Sequence, residues 1–270
     1  MNWIPPGPAW LFCPADRPDR YEKAAARADV VILDLEDAVG AADKAGARES
    51  VTTTPLDPAR TIVRINAHGT EDQAADLEML KQTEYTTVML PKCESAEQVA
   101  ALAPLNVVAL IESPLGAMTV FDALAATNAI GVMWGAEDLV AAMGGNSSRH
   151  PGGQYRDVAQ HVRSQALLAA KARGLFALDS VFLDIEDLDG VRAEAEDAVA
   201  IGFDGKVAIH PSHIPIVRQA YAPTDEEIDW ATAVLDAVAH NRGVFTFRGR
   251  MIDAPVLAHA RRIIARRPQS

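Results

Sequence analysis

Eight short apolar runs at fairly even spacing limit most strongly what this chain can fold into: Ala9–Cys13, Val30–Leu35, Thr61–Ile65, Thr87–Leu90, Val107–Ile111, Ile130–Trp134, Val181–Ile185 and Lys206–Ile209. Between them lie segments with helical spacing, among them Tyr21–Ala28, Asp72–Lys81, Ala96–Leu102, Met118–Ala126, Tyr155–Ala172 and Val191–Ala200. Strands joined through helices run parallel, and a parallel sheet is covered on both faces. Eight such units predict an α/β fold, a closed (β/α)8 TIM barrel, for which a chain of 270 residues is long enough. The rival is an open doubly wound sheet, but no Gly-x-Gly-x-x-Gly turn is present to mark one.

Residues 1–222 are assigned to the barrel and 223–270 to a C-terminal extension that a barrel does not need. The extension reads as a helix over Asp225–His240, a segment over Gly243–Pro255, and a short helix ending in a basic run from Arg261 to Arg267. It is expected to pack as a lid on the barrel mouth or on a neighbouring subunit, its basic end a solvated helix face. Gly144–Gly153 is the one long loop expected to be flexible, a candidate lid or a plain surface loop.

The formal charge of −12 argues against nucleic acid and against an anionic membrane surface as partners. An anionic ligand would then need locally placed cations and a metal. The two cysteines, Cys13 and Cys93, have no metal-ligand spacing, which suits reduced thiols in a cytoplasmic protein. Neither a signal peptide nor a run approaching the ~20 apolar residues of a membrane span is seen.

Each strand-like run ends in groups that can carry chemistry, and in a barrel those ends face one another across one rim. The set is Arg17, Glu36, Asp37, Arg64, Asn66, Lys92, Glu112, Glu137 and Asp138, with His210 on the last run. Glu112 and Asp138 close consecutive runs about 5 Å apart, so they could meet on one hard cation; each could instead cap the helix that follows. Arg64 closes an apolar strand, where its fork suits a carboxylate, a phosphate or a developing oxyanion, or else an ion pair with Glu36 or Asp37. Lys92 reads as electrostatic, since so many acids keep it charged, and Glu36 and Asp37 as orienting groups for metal-bound waters or Arg64. Backbone N–H groups over Gly135, Ala136 and Glu137 could hold a substrate carboxylate. His210 and His213 flank Pro211 and read as a turn pair. No nucleophile elbow, Walker A loop or His-Glu-x-x-His helix is present.

Taken together, Leu11-Phe-Cys-Pro-Ala-Asp-Arg-Pro18, Leu33-Asp-Leu-Glu-Asp-Ala-Val39, Val63-Arg-Ile-Asn66, Leu90-Pro-Lys92, Ile111-Glu-Ser-Pro-Leu-Gly116, Trp134-Gly-Ala-Glu-Asp-Leu139 and Ala208-Ile-His-Pro211 resemble the citrate lyase beta-subunit-like proteins of the HpcH/HpaI aldolase and citrate lyase superfamily. The likeness is nearest to the free-standing actinobacterial type, within the acyl-CoA lyase branch. It implies a Mg²⁺-dependent barrel, usually a homotrimer or a multiple of one, that cleaves carbon–carbon bonds in β-hydroxyacyl thioesters. The family's metal-ligating Glu and Asp match Glu112 and Asp138, and its substrate-binding Arg matches Arg64. Gly249-Arg-Met-Ile-Asp-Ala-Pro255 resembles the lid motif whose Asp, here Asp253, handles the α-carbon proton in a neighbouring subunit's site. Ala15-Asp16 departs from the Gly-containing version common after the first strand.

The activity so implied is retro-Claisen cleavage of a citramalyl-CoA-like substrate to acetyl-CoA and a 2-oxo acid. The alternatives are a citrate lyase beta subunit acting on citryl-acyl carrier protein, and a non-catalytic barrel that binds a metal and a dicarboxylate.

Overall fold

A computed structural model describes residues 3–238 and 243–267. Eight parallel strands close a barrel in sequence order: β1 (Ala9–Pro14), β2 (Val30–Asp34), β3 (Thr61–Arg64), β4 (Thr87–Leu90), β5 (Asn106–Ile111), β6 (Ala129–Trp134), β7 (Phe176–Asp179) and β8 (Gly205–Ala208). The helices between them are α1 (Tyr21–Ala25), α2 (Lys44–Thr53), α3 (Glu71–Leu80), α4 (Ala96–Ala100), α5 (Pro114–Ala123), α6 (Ala136–Ala142), α7 (Asp157–Ala172) and α8 (Leu188–Ile201). The α/β barrel expected from the eight apolar runs is therefore the fold.

Strand alternation fills the interior. Trp10, Ile32, Ile62, Met89, Val108, Leu110, Met133, Leu178 and Val207 form one buried cluster, while the residues between them face the helices. At the N-terminal ends of the strands, Trp10 packs against Phe176 with ring centroids 5.7 Å apart. Gly131 makes room for this, since a Cβ there would meet the Phe176 ring at 2.3 Å. The β5–β6 register shifts between Val107 and Val108. Beyond the shift Ile111 lies opposite Trp134, which sets Glu112 beside Gly135.

Strand seven is a correction. The expected run, Val181–Ile185, is a connection, and the strand is Phe176–Asp179. Two adjacent apolar runs compete here, and the helix ends decide between them. Gly174, left-handed at φ 71, follows the end of α7, and Asp187 caps α8 by accepting from the Gly190 N–H. Residues 181–186 are left to bridge them over the rim, with Leu183 and Ile185 largely exposed. Helix α5 also starts earlier than expected, because Ser113 caps it through the Gly116 N–H and Pro114 occupies its first turn.

The structure separates the chain into Met1–Val217 and Arg218–Ser270, a division inside α9 (Ile214–Tyr221). The sequence reading placed the boundary at 222/223, after that helix. The second unit holds α10 (Asp225–Val238), an antiparallel pair of β9 (Phe245–Phe247) with β10 (Arg250–Ile252), and α11 (Ala254–Ala265). The expected helix end at His240 lies outside the described residues. Ala231, Val234, Ile252, Ala260 and Ile263 give this unit a core of its own. Arg248 and Gly249, both at positive φ, turn the hairpin, as two-residue hairpin loops require. Arg261, Arg262, Arg266 and Arg267 are exposed, a solvated basic face. Among the described residues no helix is long and apolar enough to cross a membrane.

Candidate active site

The charged strand ends do meet. Asp34 and Arg64 are direct partners in the parallel register of β2 and β3. Arg64 donates through Nε to Asp34 Oδ1 at 2.7 Å and through Nη2 to Oδ2 at 2.5 Å, a two-pronged fork. Its guanidinium lies 4.7 Å from the Phe12 ring centroid. The remaining nitrogen, Nη1, stands 3.1 Å from Glu36 Oε2 and 3.7 Å from Asp37 Oδ2. The sequence offers Glu36 or Asp37 as the partner of Arg64, but the strongest contact is Asp34. Burial works against the Arg64 charge, but Asp34, Glu36 and Glu112 outweigh it and hold the group above the ordinary arginine value.

Lys92 is the second cation. Its Nζ donates to Glu36 Oε1 at 2.6 Å and lies 3.6 Å from Glu112 Oε1 and 3.7 Å from Asp138 Oδ1. Its backbone N–H donates to the same Glu112 oxygen at 3.0 Å. Glu112 and Asp138 thus converge on one point rather than each capping its own helix: Ser113 caps α5, and Asp138 sits in the first turn of α6. Gly135 completes the convergence, since a Cβ on it would stand 2.9 Å from Glu112 Oε2. Only a hydrogen lets the strand pass so close to that carboxylate.

The cluster is charged against its surroundings. Glu112 is 3% exposed, and burial, Glu36 and Asp138 together push its carboxyl up to about 8 despite Lys92 and Arg64. Burial also raises Glu36, with Arg64 and Lys92 opposing. Glu36 Oε2 is buried and makes no well-aligned hydrogen bond, its ion pair with Arg64 Nη1 aside. Asp138 is half-exposed and marks the open side. Among the described residues no three His, Cys, Asp or Glu side chains are grouped as a complete metal cage. A cation held here would keep positions for water or a ligand.

Other candidates fall elsewhere. Asn66 does not join the cluster, because its amide is spent: it accepts from Lys44 Nζ at 2.6 Å and donates to the Leu35 carbonyl and Asp76. Arg17 pairs with Asp19 at 3.0 Å on the exposed rim. The Gly135 N–H continues the ladder to the Ile111 carbonyl, so Ala136 and Glu137 supply the first-turn donors of α6. The Glu137 carboxylate accepts from Ser148 Oγ at 2.5 Å, tying loop 144–153 to the rim. A bridge between Arg149 and Tyr155 and an Arg149–Glu194 ion pair also hold that loop. His210 and His213 sit on a 3-10 turn, with His210 Nδ1 on Ser212 Oγ. Cys13 and Cys93 are buried, and burial pushes their thiols up to about 11 and about 12. In the second unit, Asp253 caps α11 by accepting from the Val256 N–H at 3.2 Å.

A model of the HpcH/HpaI aldolase/citrate lyase family matches residues 9–211. The citrate lyase subunit beta-like protein of Mycobacterium tuberculosis is 59% identical over 266 residues, 98% of this chain and 97% of its own. The mitochondrial citramalyl-CoA lyase of Rattus norvegicus is 30% identical over 96% of this chain and 85% of its own. Among solved structures, M. tuberculosis CitE in complex with magnesium, acetoacetate and coenzyme A superposes with a TM-score of 0.92 at 60% identity, covering 96% of this chain and 97% of that one.

Proposed function

The chain belongs to the HpcH/HpaI aldolase/citrate lyase family, and from that premise we propose that it is a Mg²⁺-dependent carbon–carbon lyase. It cleaves a β-hydroxyacyl-CoA of citramalyl-CoA type to acetyl-CoA and a 2-oxo acid. The observation that carries this reading is the meeting of Glu112 and Asp138 at one point beside the Arg64–Asp34 fork. The donor set fits magnesium: it offers carboxylate oxygens only, and the ion is typically bound through one or two carboxylates with water and substrate completing its shell. The high proton affinity of Glu112 marks negative charge that a dication would relieve.

When bound, the ion supplies Lewis-acid chemistry, drawing charge from the oxygens of a hydroxy acid. Glu112 and Asp138 hold it. Arg64 has Nε and Nη2 committed to Asp34 and Nη1 beside Glu36 and Asp37, and Nη1 is assigned to stabilise the oxygen that becomes the ketone. Asp34 keeps that fork from rotating. Glu36 orients Arg64 and Lys92 together, and Asp37 adds negative charge at the open edge. The Ala136 and Glu137 N–H groups are assigned to the substrate carboxylate. Lys92, and at the outer rim Arg17, supply the positive charge that an anionic thioester needs in a chain of formal charge −12.

Asp253 is assigned to the α-carbon proton: it protonates the thioester enolate in cleavage and removes the proton in condensation. The support is its motif and a side chain already fixed at a helix N-terminus. The working unit is taken as a cytoplasmic homotrimer in which Asp253 serves a neighbouring copy's site. Co-expressed Glu112→Ala and Asp253→Ala chains, each inactive alone, are then expected to recover activity in mixed trimers. No recovery in mixed trimers isolated by two tags would refute action in trans.

The experiment that tests the function is a panel of citramalyl-, malyl- and 3-hydroxy-3-methylglutaryl-CoA, with citrate as control, run in Mg²⁺ and in EDTA. Mg²⁺-dependent release of acetyl-CoA from one thioester is expected. Cleavage of free acyl-CoA decides against a citrate lyase subunit restricted to carrier-protein thioesters. Ligand-dependent melting shifts without cleavage of any thioester would leave a non-catalytic barrel.

A further inference from the structure

Lys92 stands at φ 50, a left-handed conformation that side chains other than glycine rarely adopt. Met89 points into the barrel, so regular alternation would send Lys92 outward, toward the helices. The left-handed turn reverses this. It brings the ammonium within 4 Å of Glu36, Glu112 and Asp138, and it aims the backbone N–H of the same residue at Glu112. Two of those three acids are the pair read above as metal ligands.

The charges around this point do not balance. Among the described residues, the carboxylates of Asp34, Glu36, Asp37, Glu112 and Asp138 form ion pairs with Arg64 and Lys92 alone; Arg64 is committed to Asp34, and nearby Lys44 donates to the Leu35 and Glu36 carbonyls and Asn66. An ammonium on a four-carbon stem is a monovalent cation with mobility but no freedom to leave. It shares oxygens with a divalent ion that would arrive from solution.

We propose that Lys92 is a tethered competitor for the divalent cation, a residue that sets metal affinity by occupying the same carboxylates. The proposal rests on Glu112 and Asp138 being the metal ligands. Its role is to let the chain fold with five acids at one mouth and still release their charge to a dication. The backbone N–H on Glu112 needs no side chain, so that contact is the same whichever cation holds the carboxylate.

The test is calorimetric titration of MgCl₂ into EDTA-stripped protein, comparing wild type with Lys92→Met, Lys92→Gly and Lys92→Arg, with Mg²⁺-induced melting shifts read in parallel. Removing a unit charge about 4 Å from the site predicts Mg²⁺ binding at least about tenfold tighter in the Met and Gly variants. Lys92→Arg, which keeps the charge, is expected to stay near wild type. Glycine also removes the backbone strain, so tightening in Lys92→Gly alone would assign the effect to conformation and overturn the proposal. Unchanged or weaker binding in both variants would overturn it as well. Wild type that takes up no Mg²⁺ would instead refute the metal site itself, and the competitor with it.

Discussion

Glu112→Gln is expected to lower Mg²⁺-dependent cleavage by about 10³-fold or more and, in the same protein, to raise the melting temperature of the EDTA-treated form at alkaline pH. The loss follows from removing one of the two carboxylates assigned to the ion, and with it the charge that positions the reacting oxygens. The gain follows from burial. Glu112 is 3% exposed, and its carboxyl is pushed from 4.5 to about 8 by burial and by the neighbouring Glu36 and Asp138. A group whose folded value lies above its unfolded value favours the fold at low pH, and that advantage is lost as pH rises toward the folded value. The metal-free fold therefore loses stability as pH rises from 4.5 to about 8, where folded Glu112 keeps a proton that the unfolded chain releases, and above about 8 it carries the full cost of a buried charge.

Glutamine keeps the shape and can still accept from the Lys92 N–H, but it carries no charge to bury. At about 1.4 kcal/mol per pH unit, the relief is on the order of a few kcal/mol above pH 8 and vanishes below the ordinary carboxylate range. Melting in EDTA from pH 4.5 to 9 should show the difference between variant and wild type opening with pH. Saturating Mg²⁺ should stabilise wild type and leave the variant unmoved. A pH-independent difference, or a less stable variant, would contradict the electrostatic account. Retained turnover would contradict the assignment of Glu112. Stability given up at a site that works is a common pattern, and here one side chain accounts for both terms.

The sequence made the barrel legible because the apolar runs repeat so regularly that a misplaced one could not change the topology. It made the rim legible because charged residues closing apolar strands have few places to go. The partner of Arg64 follows from the same logic: Asp34 closes the preceding strand at the matching register, although Glu36 and Asp37 of the following loop suit Arg64 equally well on sequence alone. Asn66 directly follows a strand end, which places it at the rim in the sequence. Its amide turns to α2 and α3 instead, where Lys44 and Asp76 hold it. The inward turn of Lys92 depends on a backbone angle that Pro91-Lys92 does not advertise. The largest omission came from strand seven. Placing it at 181–185 hid Asp179, the true strand end, and with it every group that Asp179 binds.

Those groups carry the other large expectation. Asp179 is fully buried between the barrel wall and α7. Oδ1 accepts from Trp134 Nε1 at 2.8 Å and Arg163 Nε at 2.9 Å; Oδ2 accepts from Arg163 Nη2 at 3.1 Å and Lys206 Nζ at 3.4 Å. Arg163 and Lys206 are themselves 3% and 1% exposed. Asp179→Ala would leave buried Lys206 only Glu194 and the Ser180 carbonyl and buried Arg163 only the largely exposed Asp197, and would orphan an indole donor, a loss of about 3–5 kcal/mol. At about 2–4 °C per kcal/mol for a domain of this size, the melting temperature should fall by roughly 10 °C. Trp134 lies one residue before Gly135, so the barrel wall behind the acid cluster should loosen too. Burial raises the Asp179 carboxyl, but Lys206, Arg163 and Trp134 outweigh it and hold the group below 3.8. Its contribution is thus present above that pH and lost as pH falls further. Replacing Asp179, Arg163 and Lys206 together by Leu, Met and Met removes all three charges at once, since Glu194 keeps Arg149 and Asp197 is largely exposed. That variant should recover most of the stability and melt with less acid sensitivity below pH 4. An Asp179→Ala protein melting within about 2 °C of wild type would mean that the buried charges find other partners.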